Sequence, residues 1–237
     1  MTTARPDRDT HPENMSCPLC GSSGNGVPGT GFFLCSECRG FYLRFRYRMD
    51  AEDEKARYEA HNNDVNDPGY QRFVSPIVST VLKDCTPDQS GLDFGAGTGP
   101  VISKLLRDEG FTIVQYDPFF HDHPALLQET YDYIVCCEVV EHFYDPDREF
   151  ARLKGLLKPG GRLYCMTWLY RPELDFSDWH YLDDPTHVFI YQPKTMEWIR
   201  RKYGFSSCVI EDRLIILTSP SEVHGDSVPV DRKLRES

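Results

Sequence analysis

The strand Gly91-Leu92-Asp93-Phe94 runs straight into Gly95-Ala96-Gly97-Thr98-Gly99-Pro100, and a helical pattern follows from Val101. A glycine turn between a strand and a helix lets backbone come close to an adenosine-containing cofactor. A dinucleotide site wants its third glycine three residues after the second, where Pro100 stands; here glycine recurs at Gly99, two residues after. Pro100 suits the first helical turn, where its missing N–H costs nothing. Asp93 beside the turn would repel a pyrophosphate and suits a cofactor that offers a cation and an amine. Asp117, twenty residues after Gly97, ends a second apolar strand. In open α/β sheets an acid there takes the ribose hydroxyls.

The second group is Tyr131-Asp132-Tyr133-Ile134-Val135-Cys136-Cys137-Glu138-Val139-Val140-Glu141-His142. It reads as a strand running out into a loop. Residues just past the carboxyl end of a parallel strand face the ligand crevice, which brings Glu138, Glu141 and His142 to the site. A later loop, Asp178 to Tyr191, holds Trp179, His180, Tyr181 and His187. Such an aromatic, titratable surface suits a small, flat or polar acceptor. The turn at Pro185 can aim His187 inward. His142 or His187 is the expected general base.

The third group is two Cys-x-x-Cys pairs, Cys17 with Cys20 and Cys35 with Cys38, with 14 residues between them. Four thiolates so spaced can share one tetrahedral ion, and the pattern resembles a zinc ribbon. The competing reading is free thiols or redox pairs. A closed four-thiolate site would be structural, and metal binding would supply the folding energy of so short a module. Cys85, Cys136, Cys137, Cys165 and Cys208 read as ordinary buried thiols.

Asp-x-Gly-x-Gly-x-Gly at Asp93–Gly99 resembles the first motif of class I S-adenosylmethionine (SAM) methyltransferases. Tyr131–Phe143, with Leu156-Leu157-Lys158-Pro159-Gly160-Gly161 after it, resembles the ubiquinone-biosynthesis O-methyltransferase group. The resemblance covers about residues 90–170. It implies an α/β fold: a Rossmann-like sheet with a terminal antiparallel hairpin, here joined to a small N-terminal zinc ribbon. It implies SAM held by Asp93, Gly95, Gly97 and Asp117, with Cys137 touching the methionine moiety through its backbone. Asp184-Pro185-Thr186-His187 with Tyr191 resembles a stretch of related bacterial methyltransferases, which adds Tyr191 to the acceptor candidates Trp179, His180 and Tyr181. Some O-methyltransferases, including small-RNA 3′-end enzymes, use Glu-x-x-Glu-His to hold a divalent ion. If the loop enters a helical turn, Glu138, Glu141 and His142 share one side and could do the same. Metal, base and structural roles all remain open for His142, with the base expected.

The elements that must position these residues follow. Residues 1–15 read as a disordered tail, 16–40 as the ribbon and 41–70 as a connector with a helix around Ala51–His61 that ends at Asp67-Pro68-Gly69. The methyltransferase domain is expected over 71–217, and 218–237 as a second disordered tail. Tyr58, His61, Asn62, Asn63 and Tyr70 are candidates for a lid over the cofactor. Only 13 residues separate Asp117 from Tyr131, too few for the helix and third strand that the family places there. Asp122 is the candidate for the adenine amine. A helix stop is expected at Lys158-Pro159-Gly160-Gly161, with a strand starting at Gly161.

Net charge is −11, from 26 basic and 37 acidic side chains, which disfavours a general polyanion binder. No apolar run is long enough to span a membrane, and residues 1–14 show no secretory pattern. An odd count of nine cysteines fits a reducing, cytoplasmic location. The expected partner is a small-molecule acceptor. Two rivals remain. One is an RNA methyltransferase using the ribbon and the Arg39–Arg48 segment for substrate delivery. The other is a non-enzymatic SAM-fold protein whose ribbon is an interaction module.

Overall fold

The computed structural model describes residues 16–60 and 63–221. The expected tail at 1–15, nearly all of that at 218–237, and His61 and Asn62 of the expected lid lie outside the described residues.

The small N-terminal strands are β1 (Gly24–Gly26), β2 (Phe32–Cys35) and β3 (Phe41–Leu43). Helices α1 (Ala51–Glu59) and α2 (Pro68–Asp84) follow. Next come β4 (Ser90–Phe94), α3 (Val101–Asp108), β5 (Thr112–Tyr116), β6 (Tyr131–Cys137), α4 (Pro146–Gly155) and β7 (Leu157–Met166). The chain closes with β8 (Phe189–Ile190), α5 (Pro193–Lys202), β9 (Ser207–Glu211) and β10 (Leu214–Thr218).

The main sheet has the order β5-β4-β6-β7-β10-β9. Its first four strands run parallel, and β10 pairs antiparallel with both β7 and β9. This is the expected Rossmann-like sheet with its terminal hairpin. Side chains alternate across it as a strand's period of two requires. Ile134 and Cys136 face the helices α4 and α5, through Phe150, Leu153, Met196 and Ile199. Tyr133 and Val135 face α2 and α3, through Val78, Val81, Ile102 and Leu106. With only a short helical turn between β5 and β6, β5 is left as the sheet edge.

Local chemistry moves three expected boundaries. Asp67-Pro68-Gly69 opens α2 rather than closing α1: the Asp67 carboxylate accepts from Gly69 N at 2.7 Å, and Pro68 occupies the first turn. The strand expected from Gly161 begins at Leu157. Leu157 pairs with Tyr131 and Arg162 with Tyr133, so Lys158-Pro159-Gly160-Gly161 is taken up as a bulge in the strand, with Gly160 at φ 75°. Residues 218–220, expected in the tail, continue the pairing: Ser219 N donates to Gly161 O and Gly160 N to Pro220 O.

A second sheet has the order β1-β2-β3-β8. It passes the expected break at residue 40 and takes its fourth strand from residues 189–190. In the neighbouring basic segment, Arg44 stacks over Phe33 at 4.5 Å and Arg48 over Tyr144 at 5.2 Å. With Arg46 over Tyr47 at 4.9 Å, three of its four arginines are spent on the chain's own rings.

Candidate active site

One cavity of about 760 Å³ opens at the carboxyl ends of β4, β5 and β6. Its first wall is the glycine turn. Gly95 has φ 80°, and its N–H donates to Tyr116 O at 2.8 Å. A Cβ there would strike Val139 at 2.5 Å, so the position requires glycine. Gly97, at φ 62°, would point a Cβ into open space. Its N–H donates to Asp117 Oδ2 at 3.0 Å, while Asp117 Oδ1 accepts from Phe119 N at 2.8 Å and Phe120 N at 3.1 Å. Asp117 thus ties both loops together at the cavity surface. Cys137 lies in the same wall.

Asp93 does not reach this cavity, contrary to the expectation that it holds cofactor. It is buried under the turn and accepts from the Ser103 hydroxyl of α3 at 2.7 Å. Burial pushes its carboxyl up to about 6, with the Ser103 bond opposing. Asp93 is a strut between β4 and α3. Asp122 is exposed and also outside the cavity lining.

The opposite wall carries His142 and His187, with Glu138 beside them. Glu138 takes φ 51°, a left-handed conformation uncommon away from glycine, just past the end of β6. Glu141 lies in the short helical turn that follows and is fully buried. Its Oε1 accepts from the Tyr181 hydroxyl at 2.6 Å; its Oε2 has no hydrogen-bond partner. His142 Nδ1 lies 3.0 Å from Thr186 O, and His187 Nδ1 lies 2.6 Å from Tyr181 O. A carbonyl only accepts, so in each neutral ring Nδ1 carries the proton and Nε2 the lone pair. Ligand atoms of Glu141, His142 and His187 fall within 4.8 Å of one another. Burial lowers the His187 imidazole below its usual value. Burial, with the Glu141 carboxylate next to it, pushes Glu138 up to about 9. Arg213 Nη1 stands 3.6 Å from Glu138 Oε1, too far to complete a hydrogen bond.

The four expected acceptor contacts are elsewhere. Tyr181 is buried behind Glu141, sharing its hydroxyl with Thr167 at 3.0 Å. Trp179 packs on Tyr181 with ring centroids 5.0 Å apart. Tyr191 is fully buried and donates to Val140 O at 2.9 Å. His180 is exposed. None of the four lines the cavity. These rings are large apolar bodies with a polar tip, and they support the site from behind.

A family model described as "Methyltransferase domain" matches residues 67–209, more than half of the sequence. The chain belongs to the methyltransferase-domain family. An ubiquinone biosynthesis O-methyltransferase of Klebsiella pneumoniae is 30% identical over 78 residues, covering 33% of this chain and 32% of the relative. The Vibrio parahaemolyticus enzyme of the same name is 31% identical over 78 residues, covering 33% of each. The chain therefore spans about a third of the length of the curated relatives it matches. Among solved structures, a SAM dependent methyltransferase from Archaeoglobus fulgidus is 22% identical, with a TM-score of 0.49, over 60% of this chain and 72% of that one. An O-methyltransferase family protein from Burkholderia thailandensis is 16% identical, with a TM-score of 0.48, over 75% of this chain and 62% of that one.

The match to the methyltransferase domain begins at residue 67, after the cysteine module. Cys17, Cys20, Cys35 and Cys38 place their sulfurs within 4.8 Å of one another, with 3.5 Å from Cys17 to Cys38 and 3.3 Å from Cys20 to Cys35. Four sulfurs on zinc bonds of about 2.3 Å lie about 3.8 Å apart, so the cluster fits the ion. Hydrogen bonding with Cys35 pushes the Cys17 thiol up, and the same contact holds Cys35 well below the thiol range.

The methyltransferase domain is also roofed by residues outside the family match. Tyr58, Asn63 and Tyr70 of the expected lid line the cavity, the last of these on α2 within the match. Sequence reasoning missed Glu54, which is buried in the lining and accepts from Tyr58 at 2.8 Å. The four-residue spacing on α1 was the available signal. It also missed the Arg57–Asp184 pair, two parallel bonds of 2.9 Å that clamp α1 onto the His187 loop. Burial alone would raise Asp184, but the Arg57 guanidinium holds it well below the usual carboxylate range. The pairing has no local pattern, since 127 residues separate the partners.

Proposed function

We propose that the chain is a SAM-dependent methyltransferase acting on a small hydroxylated acceptor, with a divalent cation held by Glu141, His142 and His187. The observation that carries this reading is that the glycine turn and the Glu–His cluster open onto one cavity. Its volume of about 760 Å³ suits a cofactor and a small acceptor together.

The cofactor wall fits SAM. Gly97 leaves room for close backbone contact, and Asp117 Oδ2, which serves a single amide, keeps acceptor capacity for a ribose hydroxyl. Past Asp117 the cavity runs by Phe120 and Phe143 to Arg152 and Glu149 of α4. That end can take the adenine without a third strand. Bound SAM would supply an electrophilic methyl carbon; the chain's part is to hold an acceptor oxygen in line with it.

The acceptor wall fits a cation better than a lone base. An isolated base needs one imidazole, whereas two imidazoles with carbonyl-fixed tautomers meet a buried carboxylate oxygen that lacks a partner. Metal-binding histidines have their second nitrogen fixed in this way. Nitrogen and carboxylate donors suit magnesium, manganese, iron or zinc. A cation there would lower the pKa of an acceptor hydroxyl toward neutrality, so that its proton could pass to solvent before methyl transfer. Glu138, whose carboxyl burial raises, lines the same wall and can hydrogen-bond the acceptor.

Purified protein, labelled SAM and small-molecule or RNA fractions of a cell extract provide the test. Transfer into the small-molecule fraction, lost with chelator and restored by manganese, supports the reading. Transfer that ignores chelation returns the role to His142 or His187 as base, and transfer only into RNA replaces the acceptor class.

A further inference from the structure

We propose that the cysteine module is the acceptor-side scaffold of the active site, with strand β3 positioning His187. This rests on the assignment of His187 to the acceptor wall. The ladder runs Cys35 in β2, then β3, then β8, where Phe41 pairs with Ile190 and Tyr42 with Phe189. His187 stands two residues before β8. The residue between them, Val188, is bonded on both sides. Leu43 N donates to Val188 O at 2.8 Å, and Val188 N donates to Glu141 O at 2.9 Å. A single residue, Val188, thus joins strand β3 of the cysteine module's sheet to the backbone of the Glu141–His142 turn.

Side chains reinforce the link. Gln192 Nε2 donates to Arg39 O at 2.5 Å, one residue after Cys38. Phe41 stacks on Phe176 with centroids 4.0 Å apart. Gly40 lets β3 close on the Phe189 ring; a Cβ there would collide with it. Val188, Phe189, Ile190 and Tyr191 are all fully buried.

Two physical points turn adjacency into dependence. Strand β8 has two residues, and among the described residues it is a terminal strand of the sheet, laddered to β3 alone. Strands β1, β2 and β3 have three, four and three residues, too little sheet to hold without the tetracysteine ion. Losing that ion frees β3, and β8 then loses its ladder partner. The cofactor wall has no such tie, since the bonds of Gly95, Gly97 and Asp117 stay within residues 95–121. Tyr42 and Phe41 are therefore positioning residues for His187.

The experiment compares the full zinc-loaded chain with the Cys17→Ser, Cys38→Ser variant and with Gly40→Val, which keeps all four cysteines. Hydrogen exchange is read over residues 184–191, with S-adenosylhomocysteine (SAH) calorimetry and manganese titration alongside. Both variants should lose protection over 184–191 and bind manganese at least about tenfold more weakly. SAH affinity should stay within roughly threefold of wild type. Gly40→Val should still carry one zinc by elemental analysis. Loss confined to residues 16–43, with 184–191 as protected as in wild type, overturns the proposal. If the cysteine variant unfolds throughout, Gly40→Val decides alone. Wild-type protein that binds no manganese would sink the metal assignment while the exchange data still judge the scaffold.

Discussion

The two walls of the cavity are held by different kinds of contact. The glycine wall is mostly local: strand, turn and helix follow one another, and among the bonds of Gly95, Gly97 and Asp117 the farthest joins Gly95 to Tyr116 across 21 residues. The acceptor wall is assembled from distant pieces. Arg57 reaches Asp184 across 127 residues, Tyr181 reaches Glu141 across 40, and β3 meets β8 from opposite ends of the chain. A cofactor common to many reactions can be served by a self-contained unit. An acceptor site that varies can be rebuilt by changing what is packed against that unit.

If the walls are separable, damage to one should spare the other. The largest effect is expected from Glu141→Gln with His187→Ala, which should abolish detectable manganese binding while SAH still titrates normally; a parallel loss of SAH would break the separation. Next is Asp93, whose folded carboxyl titrates near 6, above its ordinary value. The fold favours the protonated acid, so the Asp93 contribution to stability is greatest below about pH 4 and is lost as pH rises through about 6, up to about 3 kcal/mol. Asp93→Asn should flatten that slope in denaturant titrations run from pH 4 to 8, with little change in SAH affinity. A variant with the wild-type slope would show that the strut assignment is wrong.

Asp117→Ala should weaken SAH by about 1.5–3 kcal/mol in calorimetry and leave manganese affinity alone. Unchanged SAH affinity would remove Asp117 from the cofactor wall. The smallest effect is expected from Tyr181→Phe, which takes a 2.6 Å hydrogen bond from Glu141. Manganese affinity should fall about tenfold with the ring still packed, and no change would mean that Glu141 needs no support.

The same division explains what could be read from residues alone. The glycine turn, Asp117, the strands of the main sheet and the cysteine pairs have short signatures, because each is fixed by neighbours in sequence. Glu138, Glu141 and His142 were legible as a group from the rule that parallel strands end at the ligand crevice. What could not be read was burial. Asp93 looks like a ligand beside a glycine turn, yet Ser103, ten residues on, claims its carboxylate. Trp179, Tyr181 and Tyr191 have the composition of a binding loop, but their rings fill the space behind Glu141 and β8. Strand β8 has only two residues and is specified by β3, some 150 residues away, so no local period could announce it.

The most direct test of the account is anomalous diffraction at the manganese edge from SAH-bound crystals grown with zinc and manganese. The account predicts SAH against Gly95, Gly97 and Asp117, zinc among Cys17, Cys20, Cys35 and Cys38, and one manganese peak within coordination distance of Glu141, His142 and His187. SAH in place with no manganese near those three side chains would contradict it.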